Sequence, residues 1–281
     1  MKIRIHEATR DDSLRLAHFL KKNADTCMFM RANLNNHGIG QSGHKHAMRY
    51  FLRERGAQIV GVGAISNSGM VMVQADDGIA EIAGFMRENM DVGGVAGFLG
   101  ESGMVAEMRA ALGLTDHEAK FDDVEPMFAL ALADLQIPMI EGTVLRKAGD
   151  MDMARLLDWT YAYRLETGLM QAGPEARAEV RQEVLAALER GNTRLLVHNG
   201  EVVAKTAFNA ELPDMVQVGG VYTPPEFRGR GYARLVVALH LEEARGKGVT
   251  RAILFASGEA AVRAYRAIGF VQTGHYTITI F

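Results

Sequence analysis

The chain has 281 residues, of which 48% are hydrophobic and 23% are charged, a composition typical of globular proteins. Its net charge of −3 argues against the basic surface of a nucleic-acid-binding protein, and no apolar run approaches the roughly 20 residues of a membrane-spanning helix. The first residues lack the apolar core of a signal peptide, and Cys27, the single cysteine, has no partner for an internal disulfide. We therefore expect a cytoplasmic protein with neither nucleic-acid nor membrane partners.

The first half of the chain predicts alternating strands and helices. A short strand at 3–8 precedes a helix capped by Asp11 or Asp12. The later elements expected in this half are a polar loop at 33–44, strands at 57–65 and 70–74, a helix around 79–86, a strand at 94–99 and a helix at 103–112. The pattern of residues 124–137 fits either a strand or a helix, and we favour a strand.

The second half predicts the same order of elements. A strand at 143–147 is followed by a helix that begins at Asp150 or Asp152, and Pro174 opens the next helix. The remaining elements expected are strands at 193–198, 201–209 and 215–222, a helix at 231–245, a strand at 251–256, a helix at 259–268, and a last strand around 276–280.

Both halves also share residues at a fixed offset of 140 positions. The length fits two domains better than one, and we place their boundary after Ile137-Pro138, giving domains 1–140 and 141–281. The residues that repeat are Ala8, Asp12, Arg15 and Leu16, which correspond to Ala148, Asp152, Arg155 and Leu156.

The stretch 218–234 predicts a strand, a glycine-rich turn and a helix start. Gly219-Gly220 indicates a bulge in the strand, and Pro224-Pro225 ends it because proline cannot donate to a ladder. Glycines before a helix N-terminus let an anion approach free backbone N–H groups. Three arginines surround this turn: Arg228, Arg230 and Arg234. The pattern predicts a site for a polyanion such as a pyrophosphate.

This stretch resembles the acetyl-CoA loop of the GNAT acetyltransferases, whose pattern of Arg or Gln, two residues, Gly, one residue, and Gly or Ala is matched by Arg228, Gly231 and Ala233. A second segment resembles the family's Asn-x-x-Ala-x-x-x-Tyr-x-x-x-Gly-Phe motif. Its matching residues are Ala261, Tyr265, Gly269 and Phe270, whereas Gly258 stands where the family usually has Asn.

The resemblance implies an α/β (α+β) fold of two GNAT-like domains in tandem, each a mixed, mostly antiparallel sheet flanked by helices. It also implies that the N-terminal copy is degenerate. Asp76-Asp77-Gly78 replaces the cationic turn there, and carboxylates would repel a pyrophosphate, while Arg109 stands in place of Tyr265. We expect that copy to support the C-terminal domain and to wall the substrate cleft.

By the same resemblance, the C-terminal domain is an N-acetyltransferase that uses acetyl-CoA as co-substrate and no metal. The backbone N–H of Val221 would polarise the thioester carbonyl, and Tyr265 would protonate the departing sulfur. Glu166 is the first candidate for the base, ahead of Glu211 and Asp214. The residues expected to bind the cofactor are Val221, Tyr222, Thr223, Arg228, Gly229, Arg230, Gly231, Tyr232, Ala233 and Arg234.

The sequence leaves the acceptor, the oligomeric state and the chemistry open. The acceptor is an unidentified amine of a small molecule or of a peptide N-terminus or lysine, and the protein is a monomer or a homodimer. A non-catalytic acyl-CoA-binding module and a tandem-GNAT aminoacyl transferase that uses tRNA remain open. The three histidines of one loop are interpreted as polar surface rather than a metal site: His37, His44 and His46.

Overall fold

The computed structural model describes residues 2–40 and 43–281. The strands of the first half are β1 (Ile3–Glu7), β2 (Met48–Arg55), β3 (Gln58–Ser66), β4 (Met70–Ala75), β5 (Gly97–Glu101) and β6 (Phe121–Ala131). The helices of that half are α1 (Ser13–Lys22), α2 (Met28–His37), α3 (Ile79–Asn89) and α4 (Ser102–Ala111).

The second half repeats the order of the first. Its strands are β7 (Thr143–Lys147), β8 (Thr193–His198), β9 (Glu201–Glu211), β10 (Met215–Tyr222), β11 (Arg251–Phe255) and β12 (Val271–Ile280). Its helices are α5 (Met153–Glu166), α6 (Pro174–Arg190), α7 (Tyr232–Gly246) and α8 (Glu259–Arg266). No helix within the described residues is both long enough and apolar enough to cross a bilayer.

The chain divides into two units whose limits differ from the expected boundary between residues 140 and 141. Unit 1 runs to Glu125 and includes Gly274–Phe281, and unit 2 is Pro126–Thr273. The division differs because each unit includes one strand segment from the other half of the chain. Residues 276–280 of β12 pair with β5 in unit 1, and residues 127–131 of β6 pair with β11 in unit 2.

Each unit has a six-strand sheet with the same topology. The order is β1-β2-β3-β4-β5-β12 in unit 1 and β7-β8-β9-β10-β11-β6 in unit 2. The fourth and fifth strands of each sheet run parallel, whereas the other neighbours within each unit are antiparallel. The expected mixed, mostly antiparallel sheets flanked by helices are therefore confirmed.

The repeated residues play the same part in both units. Asp12 and Asp152 each accept a hydrogen bond from the backbone N–H three residues earlier, at 2.9 and 3.0 Å. Each also pairs with the arginine three residues later, Arg15 at 3.2 Å and Arg155 at 3.5 Å. A carboxylate in this place satisfies free N–H groups at a helix entry, so the repeat preserves a capping device.

The core of unit 2 lies on both faces of its sheet. The helix α7 buries Leu235, Val236 and Leu241 against one face, as the 3.6-residue period of its apolar positions requires. The helices α5 and α6 pack apolar residues such as Leu156 and Val180 on the sheet residue Leu195. These layers hold the ends of the central strands in place.

Two elements of unit 1 differ from the sequence-based expectation. The expected polar loop at 33–44 begins inside α2, whose three asparagines and single arginine hide its helical pattern, and residues 41 and 42 of that loop lie outside the described residues. The strand β2 was not predicted because it carries charged residues. Two of them, Arg53 and Glu54, are each 4% exposed and are buried through ion pairs.

Candidate functional site

The parallel strands β10 and β11 separate before they end. Their pairing stops at Val218 and Leu254, although β10 continues to Tyr222. On its other side β10 has two residues between Gly219 and Tyr222, whereas β9 has one between their partners Ala207 and Lys205, so β10 bulges. A bulge bends its strand and disrupts the ladder locally, and a gap therefore opens between β10 and β11.

The two glycines of the bulge are required by its geometry. Gly220 has a φ of +58°, in the left-handed region that other residues rarely adopt. A Cβ atom on Gly219 would lie 1.9 Å from Nδ2 of Asn209. The double glycine therefore indicated a real irregularity in the strand.

The gap belongs to a cavity of about 770 Å³ within unit 2. Its walls come from the end of α5, the ends of β10 and β11, the start of α7 and one face of α8. All the residues that the sequence proposed for the cofactor and for catalysis line it: Glu166, Val221, Tyr222, Thr223, Arg228, Gly229, Arg230, Gly231, Tyr232, Ala233, Arg234 and Tyr265.

The turn before α7 presents backbone donors to this cavity. Gly229 and Gly231 have φ of +77° and +82°, and Gly231 is the N-cap of α7. The first N–H that bonds inside the helix is that of Leu235, to the carbonyl of Gly231. The amides of residues 232–234 therefore have no acceptor within the helix, and they lie at its positive end.

The arginines of the turn have different surroundings. Arg228 donates from Nε to the carbonyl of Thr223 at 2.9 Å and from Nη2 to the Glu166 carboxylate at 2.7 Å. The guanidinium of Arg230 lies 5.9 Å from the ring centre of Phe227. Arg228 and Arg230 in the turn and Arg234 in the first turn of α7 are all exposed, so they place positive charge at the entrance to the cavity.

Glu166, at the end of α5, joins this helix to the turn. Its two carboxylate oxygens accept hydrogen bonds from Arg228 at 2.7 Å and from the Tyr222 hydroxyl at 3.2 Å. Burial raises the pKa of the Tyr222 hydroxyl, and the Glu166 charge raises it further. The carboxylate thus lies in the cavity with one cationic and one phenolic partner.

Tyr232 contributes differently from the other residues of the turn. Its side chain is 3% exposed, and its hydroxyl lies 2.7 Å from Nδ1 of His198. The ring therefore anchors the start of α7 in the core, whereas the backbone N–H faces the cavity end of the helix. From the sequence, His198 is only the last residue of the strand expected at 193–198, and its distance of 34 positions from Tyr232 leaves no signal for this contact.

Tyr265 lies on the short helix α8 and lines the cavity. Its side chain is 8% exposed and packs edge-on against Phe270, with ring centres 6.2 Å apart. Gly258, which precedes α8, has φ +85° and ψ +156°, a region that is essentially restricted to glycine. This backbone conformation explains why glycine replaces asparagine in the second motif.

Lys205 is a buried charge that the sequence did not reveal. It lies on β9 opposite Tyr222, and its Nζ donates to Oγ1 of Thr160 at 2.6 Å. Burial lowers the pKa of Lys205 to about 8, while the charge of Glu183 acts in the opposite direction. Lysine is rarely buried in a strand, but nothing in the sequence of residues 201–209 indicated that Lys205 is buried.

The other base candidates and the histidines lie elsewhere. Glu211 is exposed at the end of β9, Asp214 accepts backbone N–H groups through its carbonyl, and neither lines the cavity. Within residues 2–40 and 43–281, possible metal ligands converge at His6, Asp12 and Glu54, where Arg15 already pairs with both carboxylates. In the histidine loop, the ring of His37 stacks on that of His44 with centres 4.3 Å apart, and the ring of His46 is tilted against His44 with centres 5.3 Å apart.

Unit 1 has a counterpart of this turn, and side chains of unit 1 fill it. Gly78, with φ +75°, precedes α3 as Gly231 precedes α7. A Cβ atom on Gly78 would lie 2.3 Å from Nε of Arg53, whose guanidinium pairs with Asp77 at 2.5 Å and Glu81 at 3.0 Å. An arginine side chain therefore covers the place where unit 2 leaves its helix amides open.

The neighbouring positions of unit 1 are filled as well. The backbone N–H of Ala75, at the end of β4, lies 3.4 Å from Sδ of Met104 on α4. Arg109, the counterpart of Tyr265, donates to the carbonyls of Leu114 and His117 and pairs with Asp122 at 2.6 Å. Arg109 is thus engaged in holding a loop of its own unit.

The comparisons with known proteins agree with this geometry. A sequence model of the acetyltransferase (GNAT) family matches residues 154–270, which include most of the cavity wall. No curated protein matches the chain significantly.

Solved structures share the whole fold at low identity. A Drosophila protein has a TM-score of 0.67 and 15% identity over 99% of this chain and 98% of its own. A GNAT-family acetyltransferase from Colwellia psychrerythraea has a TM-score of 0.55 and 15% identity over the full length of both chains. A tandem GNAT protein of the clavulanic acid biosynthesis pathway has a TM-score of 0.55 and 15% identity over 99% of this chain and 98% of its own. The expected fold of two GNAT-like domains is thereby confirmed, and residues 154–270 form a domain of the acetyltransferase (GNAT) family.

Proposed function

We propose that this protein is an acetyl-CoA-dependent N-acetyltransferase whose active site is the cavity of unit 2. The acceptor is an amine of a small molecule, a peptide N-terminus or a lysine. One observation carries the proposal: free helix amides, three arginines and a separated strand pair all line a single cavity. That combination suits a ligand with a pyrophosphate at one end and a thioester at the other.

The residues present fit acetyl-CoA along its length. The amides of the turn and the start of α7 would bind the pyrophosphate, with Arg230 and Arg234 beside it. Tyr222 and Thr223 would run along the pantetheine arm. The Thr223 hydroxyl oxygen is buried and has no hydrogen-bond partner within the described residues, and a buried polar group of this kind is stabilised by a ligand partner.

The catalytic groups follow from the bulge and from α8. The register of β10 assigns no β9 partner to Val221, so its N–H can serve the thioester carbonyl, where negative charge develops. Tyr265 supplies the proton for the departing sulfur, because a phenol can donate to a thiolate of pKa roughly 8.5. Glu166, in the same cavity, is the base for the attacking amine.

Acetyl-CoA supplies an activated acetyl group. The amine nitrogen bonds to the carbonyl carbon, and the carbon–sulfur bond breaks. The sulfur takes a proton from Tyr265, and the surplus proton of the amine goes to Glu166. Proton exchange with solvent then restores both side chains.

Unit 1 has a structural role in this proposal. Its counterpart of the turn is covered by the Arg53 guanidinium and carries the carboxylates of Asp77 and Glu81, which would repel a pyrophosphate. We therefore assign acyl-CoA binding to unit 2.

The test is acetyl-CoA titration followed by an acceptor screen. Gly231→Val should abolish acetyl-CoA binding, because a side chain at φ +82° strains the turn. Gly246→Val, at the other end of α7 with no atom within 4 Å of its Cβ position, is the matched control. Thiol release should then appear with one class in a panel of small amines and peptides.

Three outcomes contradict the proposal. Equal acetyl-CoA affinity in Gly231→Val and wild type would remove the turn from the site. Tight acetyl-CoA binding without thiol release across a broad amine panel would favour a non-catalytic acyl-CoA-binding module. Salt-dependent tRNA binding would favour an aminoacyl transferase.

A further inference from the structure

One arginine of the turn is held by groups other than a phosphate. The guanidinium of Arg228 donates to the Glu166 carboxylate at 2.7 Å and to the carbonyl of Thr223 at 2.9 Å, and it lies 5.7 Å from the ring centre of Tyr222. Because Glu166 ends α5 and Arg228 precedes α7, the pair joins two separate walls of the cavity.

The pair is placed where an incoming anion would compete for it. Arg228 and Glu166 have side chains that are 47% and 46% exposed, and an ion pair this exposed stabilises a protein weakly. A pyrophosphate on the neighbouring amides carries more negative charge than one carboxylate, and it can accept two parallel bonds from a guanidinium. The phosphate groups are therefore the stronger partner for Arg228.

Glu166 has a second partner that remains after Arg228 leaves. The Tyr222 hydroxyl donates to its other oxygen at 3.2 Å. Release of Arg228 would therefore leave the oxygen that it held open to a hydrogen bond from an amine.

We propose that the Glu166–Arg228 ion pair is a latch, which holds the end of α5 against the turn and opens when the phosphates of the acyl donor take Arg228. Opening frees Glu166 for its role as base, so donor binding prepares the site for the amine. This inference rests on the proposed function, since it requires phosphates at the turn.

The test compares donor affinity in wild type and Glu166→Gln. The glutamine keeps the size and the hydrogen bond to Tyr222 but removes the competing charge. We expect it to bind CoA about two- to five-fold more tightly than wild type. The gain should vanish for S-acetylpantetheine, which lacks the pyrophosphate, and in the Arg228→Gln background. Glu226→Gln, which removes an exposed carboxylate of the same loop, is the matched control and should leave CoA affinity unchanged.

A second measurement follows the latch directly. Trp159 is the single tryptophan of the chain, and its ring centre lies 6.0 Å from that of Tyr222. CoA should shift the Trp159 emission in wild type, and Glu166→Gln should begin nearer to the bound value.

The outcomes separate this inference from the proposed function. Unchanged or weaker CoA binding in Glu166→Gln, with normal binding to wild type, would overturn the latch and leave the proposed function intact. A gain that also appears with S-acetylpantetheine would overturn the competition for Arg228. Absence of CoA binding to wild type would overturn both.

Discussion

Gly78 and Gly231 hold the same backbone position in the two units, each with left-handed φ immediately before the helix that follows the fourth strand. Only the surroundings of the two glycines differ. The guanidinium of Arg53 packs on Gly78, whereas the amides after Gly231 face the cavity. Duplication therefore preserved the turn as a way to begin a helix, and side chains decide whether it is open to an anion.

Replacing Arg53 tests the filled turn of unit 1. Arg53→Met keeps the apolar stem but removes the arginine partner of Glu81 and leaves Asp77 with Arg55 alone, so we expect a loss of about 1–3 kcal/mol in the free energy of unfolding. Chemical denaturation measures this loss. Arg55→Met is the control, because Arg55 pairs with Asp77 at 3.0 Å but is 46% exposed and should cost less than about 1 kcal/mol. Changed acetyl-CoA affinity in Arg53→Met would contradict the assignment of binding to unit 2.

Tyr265→Phe should slow the reaction without weakening the donor complex. Loss of a general acid predicts a fall in kcat of roughly ten- to a thousand-fold with acetyl-CoA affinity nearly constant. Steady-state kinetics and titration measure the two quantities. Tyr161→Phe, a tyrosine of α5 that contacts Arg177 and does not line the cavity, should keep full turnover. Equal turnover in Tyr265→Phe and wild type would remove this hydroxyl from the mechanism.

Tyr232→Phe should lower the stability of the protein without weakening acetyl-CoA binding. It removes the hydrogen bond to His198 and should lower the free energy of unfolding by about 1 kcal/mol. The backbone N–H that we assign to the phosphate in the proposed function is untouched, so acetyl-CoA affinity should stay within about two-fold of wild type. Thermal denaturation and titration check both expectations. Strong loss of affinity with unchanged stability would show that the hydroxyl itself binds the ligand.

Lys205 predicts a pH dependence of stability. Burial lowers its pKa from the model-peptide value of 10.5 to about 8 in the folded protein, so between these values the unfolded chain binds more protons. Stability should therefore rise as pH increases from about 8 to 10.5. Lys205→Met, which removes the buried ammonium, should lack this rise when unfolding is measured across the same range. An identical pH profile in both proteins would contradict the lowered pKa.

The sequence predicted the fold of unit 2 more fully than that of unit 1, for physical reasons. In unit 2 the signals were local: Pro174 begins α6, and Asn199-Gly200 turns β8 into β9. In unit 1, β2 carries Arg53 and Glu54 inside the sheet, and these charges are tolerated only through partners distant in sequence. Periodicity cannot reveal such pairs.

The same holds for the candidate site, whose contiguous residues were predicted and whose contacts between distant residues were not. The glycines and arginines of the turn are contiguous, so their pattern placed them together. The contacts of Glu166 with Arg228 and of His198 with Tyr232 span 62 and 34 positions, and they depend on the register and packing of the finished sheet. No local pattern encodes them.

The strand segment at 274–281 has a consequence for synthesis on the ribosome. Unit 2 has all of its residues once Thr273 has been made, whereas unit 1 must wait for residues 274–281 to obtain its sixth strand. The edge of β5 therefore stays without this partner while the whole of unit 2 is synthesised, and the unit with the earlier residues is completed after the other.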